Sequence, residues 1–307
     1  VKAILATGKP VAAIVLQGGP YALDELKASP ASVLVSGFPG QAGAQALAEA
    51  LFGDINPSGK LTTTIYPDSF ACGEPMSGAP WMDSGLRPDE QYPGFPGRTH
   101  MFYSGPLLWP FGFGMSYTSF ELAWGSGSGQ RQGSSYGHGV STSSSSSSSS
   151  SRKDIRILAS SASTANNASI PLDSVETALR ELSWTVRVTN TGSRAGKEVV
   201  QAYWTPPDTV DPVLKRQLFD FEGVYLEPGA SADLVLRPPQ GGRGPGLAGK
   251  AAARELATVT EGGDRVFLPG LYKVSLTTGN GQDSTQLLTA WVDVVGTGAV
   301  MVSTFPS

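Results

Sequence analysis

Apolar positions fall into three regimes along the chain. From residue 1 to about 70 they come in short runs and helical stripes. Val11 to Leu16 (VAAIVL) is continuous and partly β-branched, bounded by Pro10 and Gly18-Gly19. That pattern predicts a strand buried on both faces, as in a parallel sheet. Tyr21 to Lys27 has room for two helical turns, and Ser32 to Gly37 (SVLVSG) predicts a second short buried strand. In the following QAGAQALAEALFG, Ala42, Ala46, Leu47, Ala50 and Leu51 share one helical face, with Gly53 as the C-cap. Strand and helix alternate here, which points to an α/β layered sandwich. Two strands make too small a sheet to stand alone, so further strands are expected upstream of Val1.

Residues 71 to 120 show little periodicity and are rich in Pro, Gly and aromatics. Pro93, Pro96, Pro106 and Pro110 exclude a long helix. An ordered, aromatic-pinned excursion across neighbouring surfaces is expected. Gly125 to about Ser174 includes nine consecutive serines, Ser143 to Ser151. Such a stretch buries too little apolar area to offset its chain entropy, and predicts a flexible insertion. From residue 180 to 296 the period becomes two. Trp184, Val186 and Val188 face one way. Val199, Gln201 and Tyr203 alternate with Val200, Ala202 and Trp204. Further alternating runs flank Pro228-Gly229 and end in LYKVSLTTGNG and LLTAWVDVVG. Six or seven short strands predict a β-sandwich, interrupted by a Gly-rich insertion at 240–253. The expected organisation is thus an α/β part at 1–122, a low-complexity insertion at 123–179, an all-β sandwich at 180–296 and a tail at 297–307.

Composition narrows the partners. Charged residues are 16% of the 307, net charge is −4, and no lysine/arginine run occurs. Nucleic acid is an unexpected partner for such a chain. No apolar run reaches the ~18 residues of a membrane helix. The single cysteine, Cys72, cannot form an intrachain disulfide, so packing alone must hold the fold.

Candidate chemistry is sparse. Gly37 to Gly43 (GFPGQAG) lies between a strand and a helix, where α/β sheets bind ligands. Its spacing is not the G-x-G-x-x-G of dinucleotide sites, so a tight turn is the simpler reading. Gly53 to Leu61 (GDINPSGKL) follows a helix and ends on leucine where a phosphate loop has a hydroxyl, so it too reads as a turn. The two histidines, His100 and His138, and Cys72 are too few and too scattered for a zinc site. A hydrolytic triad on His100 stays open, without a nucleophile-elbow signature. Asp24-Glu25, Asp89-Glu90 and Glu227 sit in polar or turn contexts and read as solvated. Asn167-Ala168-Ser169 is a lone glycosylation sequon. These residues supply no catalytic, cofactor-binding or metal-ligating assignment.

Longer strings are more specific. Val33 to Pro67 (VLVSGFPGQAGAQALAEALFGDINPSGKLTTTIYP) resembles the late part of the α/β sandwich domain of family 3 glycoside hydrolases. Tyr92 to Leu122 is similar to the segment that follows it in the plant-type β-xylosidase/α-L-arabinofuranosidase branch. WTVRVTNTGSRAGKEVVQAYWTPP, KRQLFDFEGVYLEPGAS and FLPGLYKVSLTTGN resemble the closing fibronectin type III-like domain. The resemblance implies retaining exo-hydrolysis of a terminal β-linked sugar by two carboxylates, on xylan-derived oligosaccharides, in a secreted cell-wall enzyme that needs no cofactor. It places the nucleophile on an N-terminal (β/α)-barrel and the acid/base ahead of Val1, so neither maps onto this chain. A non-catalytic carbohydrate- or partner-binding sandwich is the alternative, since a fold hosts many roles.

Overall fold

The computed structural model describes residues 1–19, 21, 23–72, 85–88, 94–126, 168–211, 213–239, 255–260, 263–279 and 286–303. The N-terminal unit runs α1 (Lys2–Leu5), β1 (Ala12–Leu16), α2 (Asp24–Lys27), β2 (Ser32–Ser36), α3 (Gly43–Phe52), α4 (Asp68–Cys72) and α5 (Thr99–Phe102). β1 and β2 pair in parallel, Ala12 opposite Ser32 through Leu16 opposite Ser36. α3 ends where Gly53 turns left-handed, at φ 84°, a conformation glycine adopts without steric cost.

Three expectations for this unit need correction. The strands are not buried on both faces: Ile14 is 42% and Leu16 58% exposed. Among the described residues, each strand's only sheet partner is the other, so half its side chains still meet solvent. The expected apolar face of α3 is likewise largely open: Ala50 is buried, while Ala46 and Leu51 are exposed. Helix forms in only one turn of the 21–27 stretch, Asp24–Lys27.

The second unit contains β3 (Phe120–Trp124), β4 (Ala168–Pro171), α6 (Val175–Glu181), β5 (Trp184–Asn190), β6 (Gly196–Thr205), β7 (Gln217–Leu226), β8 (Ser231–Leu236), β9 (Thr258–Val259), β10 (Arg265–Phe267), β11 (Gly270–Thr277), β12 (Leu287–Val295) and β13 (Val300–Ser303). A three-stranded sheet, β3-β5-β8, faces a five-stranded sheet, β4-β12-β11-β6-β7. A small third sheet, β13-β10-β9, adjoins them. The period-two pattern maps directly onto burial. Trp184, Val186 and Val188 on β5, Val200, Ala202 and Trp204 on β6, and Tyr272, Val274 and Leu276 on β11 are all at most 1% exposed. Together they form one continuous core.

The boundaries expected for the insertion and the tail also shift. β3 extends past 122, and Ala168–Glu181 belongs to the sandwich rather than to a flexible insertion. β4 pairs in parallel with β12, and Ile170, Leu172, Val175, Ala178 and Leu179 enter the main core. Their apolar run is short and follows a long Ser- and Gly-rich stretch, so composition over a longer window conceals it. In the tail, β13 pairs with β10. Residues 127–167 and 240–254 lie outside the described residues.

The two units are joined along β6. Its Val200, Ala202 and Trp204 side chains fill the sandwich, while Gln201 and Tyr203 are buried on the other side. Gln201 Nε2 donates to the Gly112 carbonyl at 2.9 Å. Gly112 has φ 82°, and a Cβ there would stand 2.0 Å from Gln201 Oε1, so only glycine fits. Lys60 Nζ reaches Glu198 Oε1 at 2.7 Å with side-chain exposures of 11% and 4%, and donates to the Gly114 carbonyl at 2.8 Å. Asn56 accepts from Ser116 Oγ (2.9 Å) and Tyr117 N (2.8 Å), and donates to the Ala195 carbonyl (3.0 Å). Arg87 forms a two-bonded pair with Asp211 at 3.1 and 2.7 Å.

Leu179→Ala is expected to cost about 2–5 kcal/mol, the range for a buried leucine truncation, measured by urea unfolding; a surface insertion would lose almost nothing. Glu198→Leu strands the Lys60 cation and is expected to cost about 3–5 kcal/mol. The double variant Lys60→Met/Glu198→Leu should recover most of that loss in the same measurement.

Candidate functional site

Two segments bear on ligands. The first is the turn after β2. Phe38 is 85% exposed, and its ring covers Gly18 at the end of β1, where a Cβ would lie 2.8 Å from the ring. Gly43 packs on the Pro39 ring, with 2.4 Å available to a Cβ. Gly40 has φ 68°. The glycines of GFPGQAG therefore serve a tight turn, as its spacing suggests. The turn carries one exposed aromatic at the carboxyl edge of a parallel sheet, the usual ligand edge of α/β layers. Gln17 beside it is 8% exposed, and among the described residues its Oε1 has no hydrogen-bond partner.

The second segment is the aromatic excursion, described here from Gly94 onward. Three of its rings point inward. Phe95, Phe102 and Tyr103 are 3%, 6% and 8% exposed. Tyr66 stacks on Phe70 at 4.4 Å, and both meet Tyr103 edge-on at 4.8 and 5.0 Å. Arg87 lies over the Phe102 ring at 4.7 Å. These aromatics pin elements together and present no open stacking platform.

His100 stacks on Phe111 at 4.1 Å and meets Tyr203 of β6 edge-on at 6.0 Å. Burial, with Arg216 adding to it, lowers its pKa from 6.5 to about 4, so the ring is neutral at pH 7. Among the described residues no carboxylate is hydrogen-bonded to it, and the triad reading gains no orienting group. Beside it lies a cavity of about 150 Å³, walled in part by Thr64, Thr99, Lys215 and Arg216. Thr99 holds φ 63°, a strained setting for a β-branched residue. Its N–H donates to the Tyr66 hydroxyl at 2.7 Å.

The carboxylates follow a different plan from a catalytic pair. Glu227 is exposed, Glu25 pairs with Lys2 and Asp24 accepts from Asp68 N. Asp89-Glu90 lie outside the described residues. Among the described residues the buried carboxylates are Glu198 and Asp211, and each is held by a cation across the seam. Sequence reading missed both. Glu198 opens a strand of regular alternation, and Asp211 stands beside Pro212, with no local mark of burial. Among the described residues no cluster of His, Cys, Asp and Glu could hold a metal.

Stability should carry the signature of His100. The unfolded chain takes up a proton near pH 6.5, whereas the folded ring resists until about pH 4. Its contribution is full above pH 6.5 and falls away as pH drops toward 4. His100→Phe keeps a ring against Phe111 and is expected to flatten the pH dependence of the urea midpoint between pH 6.5 and 4.

Comparison with known proteins accords with this architecture. The model for the glycosyl hydrolase family 3 C-terminal domain matches residues 1–117. Beta-D-xylosidase 1 of Arabidopsis thaliana is 32% identical over 235 residues, 72% of this chain and 26% of that protein. Exo-1,4-beta-xylosidase xlnD of Emericella nidulans is 28% identical over 274 residues, 88% of this chain and 28% of that protein. A solved family 3 exo-beta-xylosidase, XlnD, bound to a xylobiose aziridine activity-based probe, superposes with TM-score 0.71 at 24% identity, covering all of this chain and 33% of that one. The chain thus spans roughly a quarter of the length of these curated relatives. The superposition shows a shared fold, and the match of residues 1–117 to the C-terminal domain, together with the xylosidase relatives, places that part of the chain in glycoside hydrolase family 3.

Proposed function

We propose that this chain is the C-terminal portion of a retaining, exo-acting glycosidase of β-xylosidase type, acting on xylan-derived oligosaccharides outside the cell. In this reading the catalytic carboxylates belong to parts that pair with the chain, an N-terminal (β/α)-barrel foremost. Residues 1–122 brace that pocket, and the sandwich braces residues 1–122. The observation that carries the reading is the fate of the buried acids. Glu198 and Asp211 are both committed to cations at the seam, which is a structural use and leaves neither poised for the acid and nucleophile roles of a retaining mechanism. The exposed Phe38 turn fits the same role, offering an aromatic to a pocket completed by another domain.

The 307-residue chain alone is expected to give no turnover of 4-nitrophenyl β-xyloside above buffer. The chain joined in frame to the N-terminal part of a family 3 xylosidase is expected to turn it over, and to prefer it to the β-glucoside. Hydrolysis by the chain alone at the rate of an intact enzyme overturns the reading.

A further inference from the structure

The cavity beside His100 is unlike the rest of the seam in its charge. Lys215 and Arg216 line it from the segment between β6 and β7, and Thr64 and Thr99 line it from the N-terminal unit. Among the described residues no carboxylate lines it. Arg216 spreads over the Tyr203 ring at 4.5 Å, which holds the guanidinium in place through the ring face. Thr64 is 5% exposed, and its hydroxyl is set beside the Tyr66 hydroxyl, the one group it engages among the described residues. Thr64 lines the cavity with a hydroxyl that can also donate to a bound oxygen. The neutral His100 ring adds a nitrogen that can donate. Lys60 and Arg87 at the seam are each neutralised by a buried carboxylate, and Arg194 donates to the Gly53 carbonyl; Lys215 and Arg216 have no carboxylate partner among the described residues.

We propose that this cavity binds one compact oxyanion, held by Arg216 and Lys215 and by the Thr64 hydroxyl. Its volume of about 150 Å³ suits a phosphate or the carboxylate end of an acidic sugar. A planar guanidinium over a fixed ring is the group best shaped for either. The ligand bridges the two units, since its donors come from both. The site is separate from hydrolysis and does not depend on the glycosidase reading.

The test is calorimetric titration of the full chain at low salt with inorganic phosphate, with glucuronate, and with glucose as the uncharged control. One saturable site for an oxyanion and none for glucose is expected. Arg216→Gln and Thr64→Val should each weaken it about tenfold or more, the worth of a charge-assisted or buried hydrogen bond. Lys215→Met, at an exposed residue, gives a second cation variant if Arg216→Gln fails to fold. By NMR, saturation should raise the His100 pKa by about one unit, since an anion favours the charged ring; His138, the other histidine, is the internal reference. Tighter glucuronate assigns the site to an acidic sugar, and tighter phosphate to an inorganic anion. Absence of saturable binding to both, or binding unchanged in the folded variants, overturns the proposal.

Discussion

The ion pair between Lys60 and Glu198 holds the architecture together. Both groups are withdrawn from water, and a charge so placed must keep its partner. Lys60 comes from the turn after α3, and Glu198 from β6 in the sandwich. The pair therefore exists only when the two units are docked in one register. Around it the seam is finely fitted. Gly112 admits the Gln201 amide because it lacks a side chain. Asn56 joins the 116–117 backbone and side chains to the Ala195 carbonyl. Charge supplies the cost of misdocking, and the hydrogen bonds supply its precision.

Docking also decides what β6 is. A strand at the interior of a five-stranded sheet has one face for the core, and its other face normally meets solvent or a covering layer. Here the aromatic excursion is that layer. His100, Phe111 and Tyr203 meet across it, and the cavity that His100 and Phe111 border takes walls from residues more than 100 positions apart. A site of this kind depends on both units being folded and docked.

The inward packing of the excursion separates two roles that look alike in a string of aromatics. Phe95, Phe102 and Tyr103 are consumed in holding the excursion down, and Phe38 is left in the open. Exposure distinguishes them, and exposure is a property of what lies above each ring rather than of the ring.

Much of this protein is legible in one dimension. The sandwich strands follow from period-two alternation, because a pleated strand with one buried face must repeat its apolar positions every second residue. The β1 and β2 strands, the Gly53 cap and the turns of GFPGQAG follow from local rules of the same kind. Ala168–Glu181 was hidden because the low-complexity composition upstream of it masks a short apolar run in any long window. The carboxylates at 198 and 211 and the cavity at His100 were beyond local reading altogether. Burial, ion pairing and a shifted histidine arise from neighbours distant in sequence. Local pattern determined which elements form; only tertiary docking decided which charges they had to neutralise, because desolvation is set by the whole surroundings of a group and not by its position in the chain.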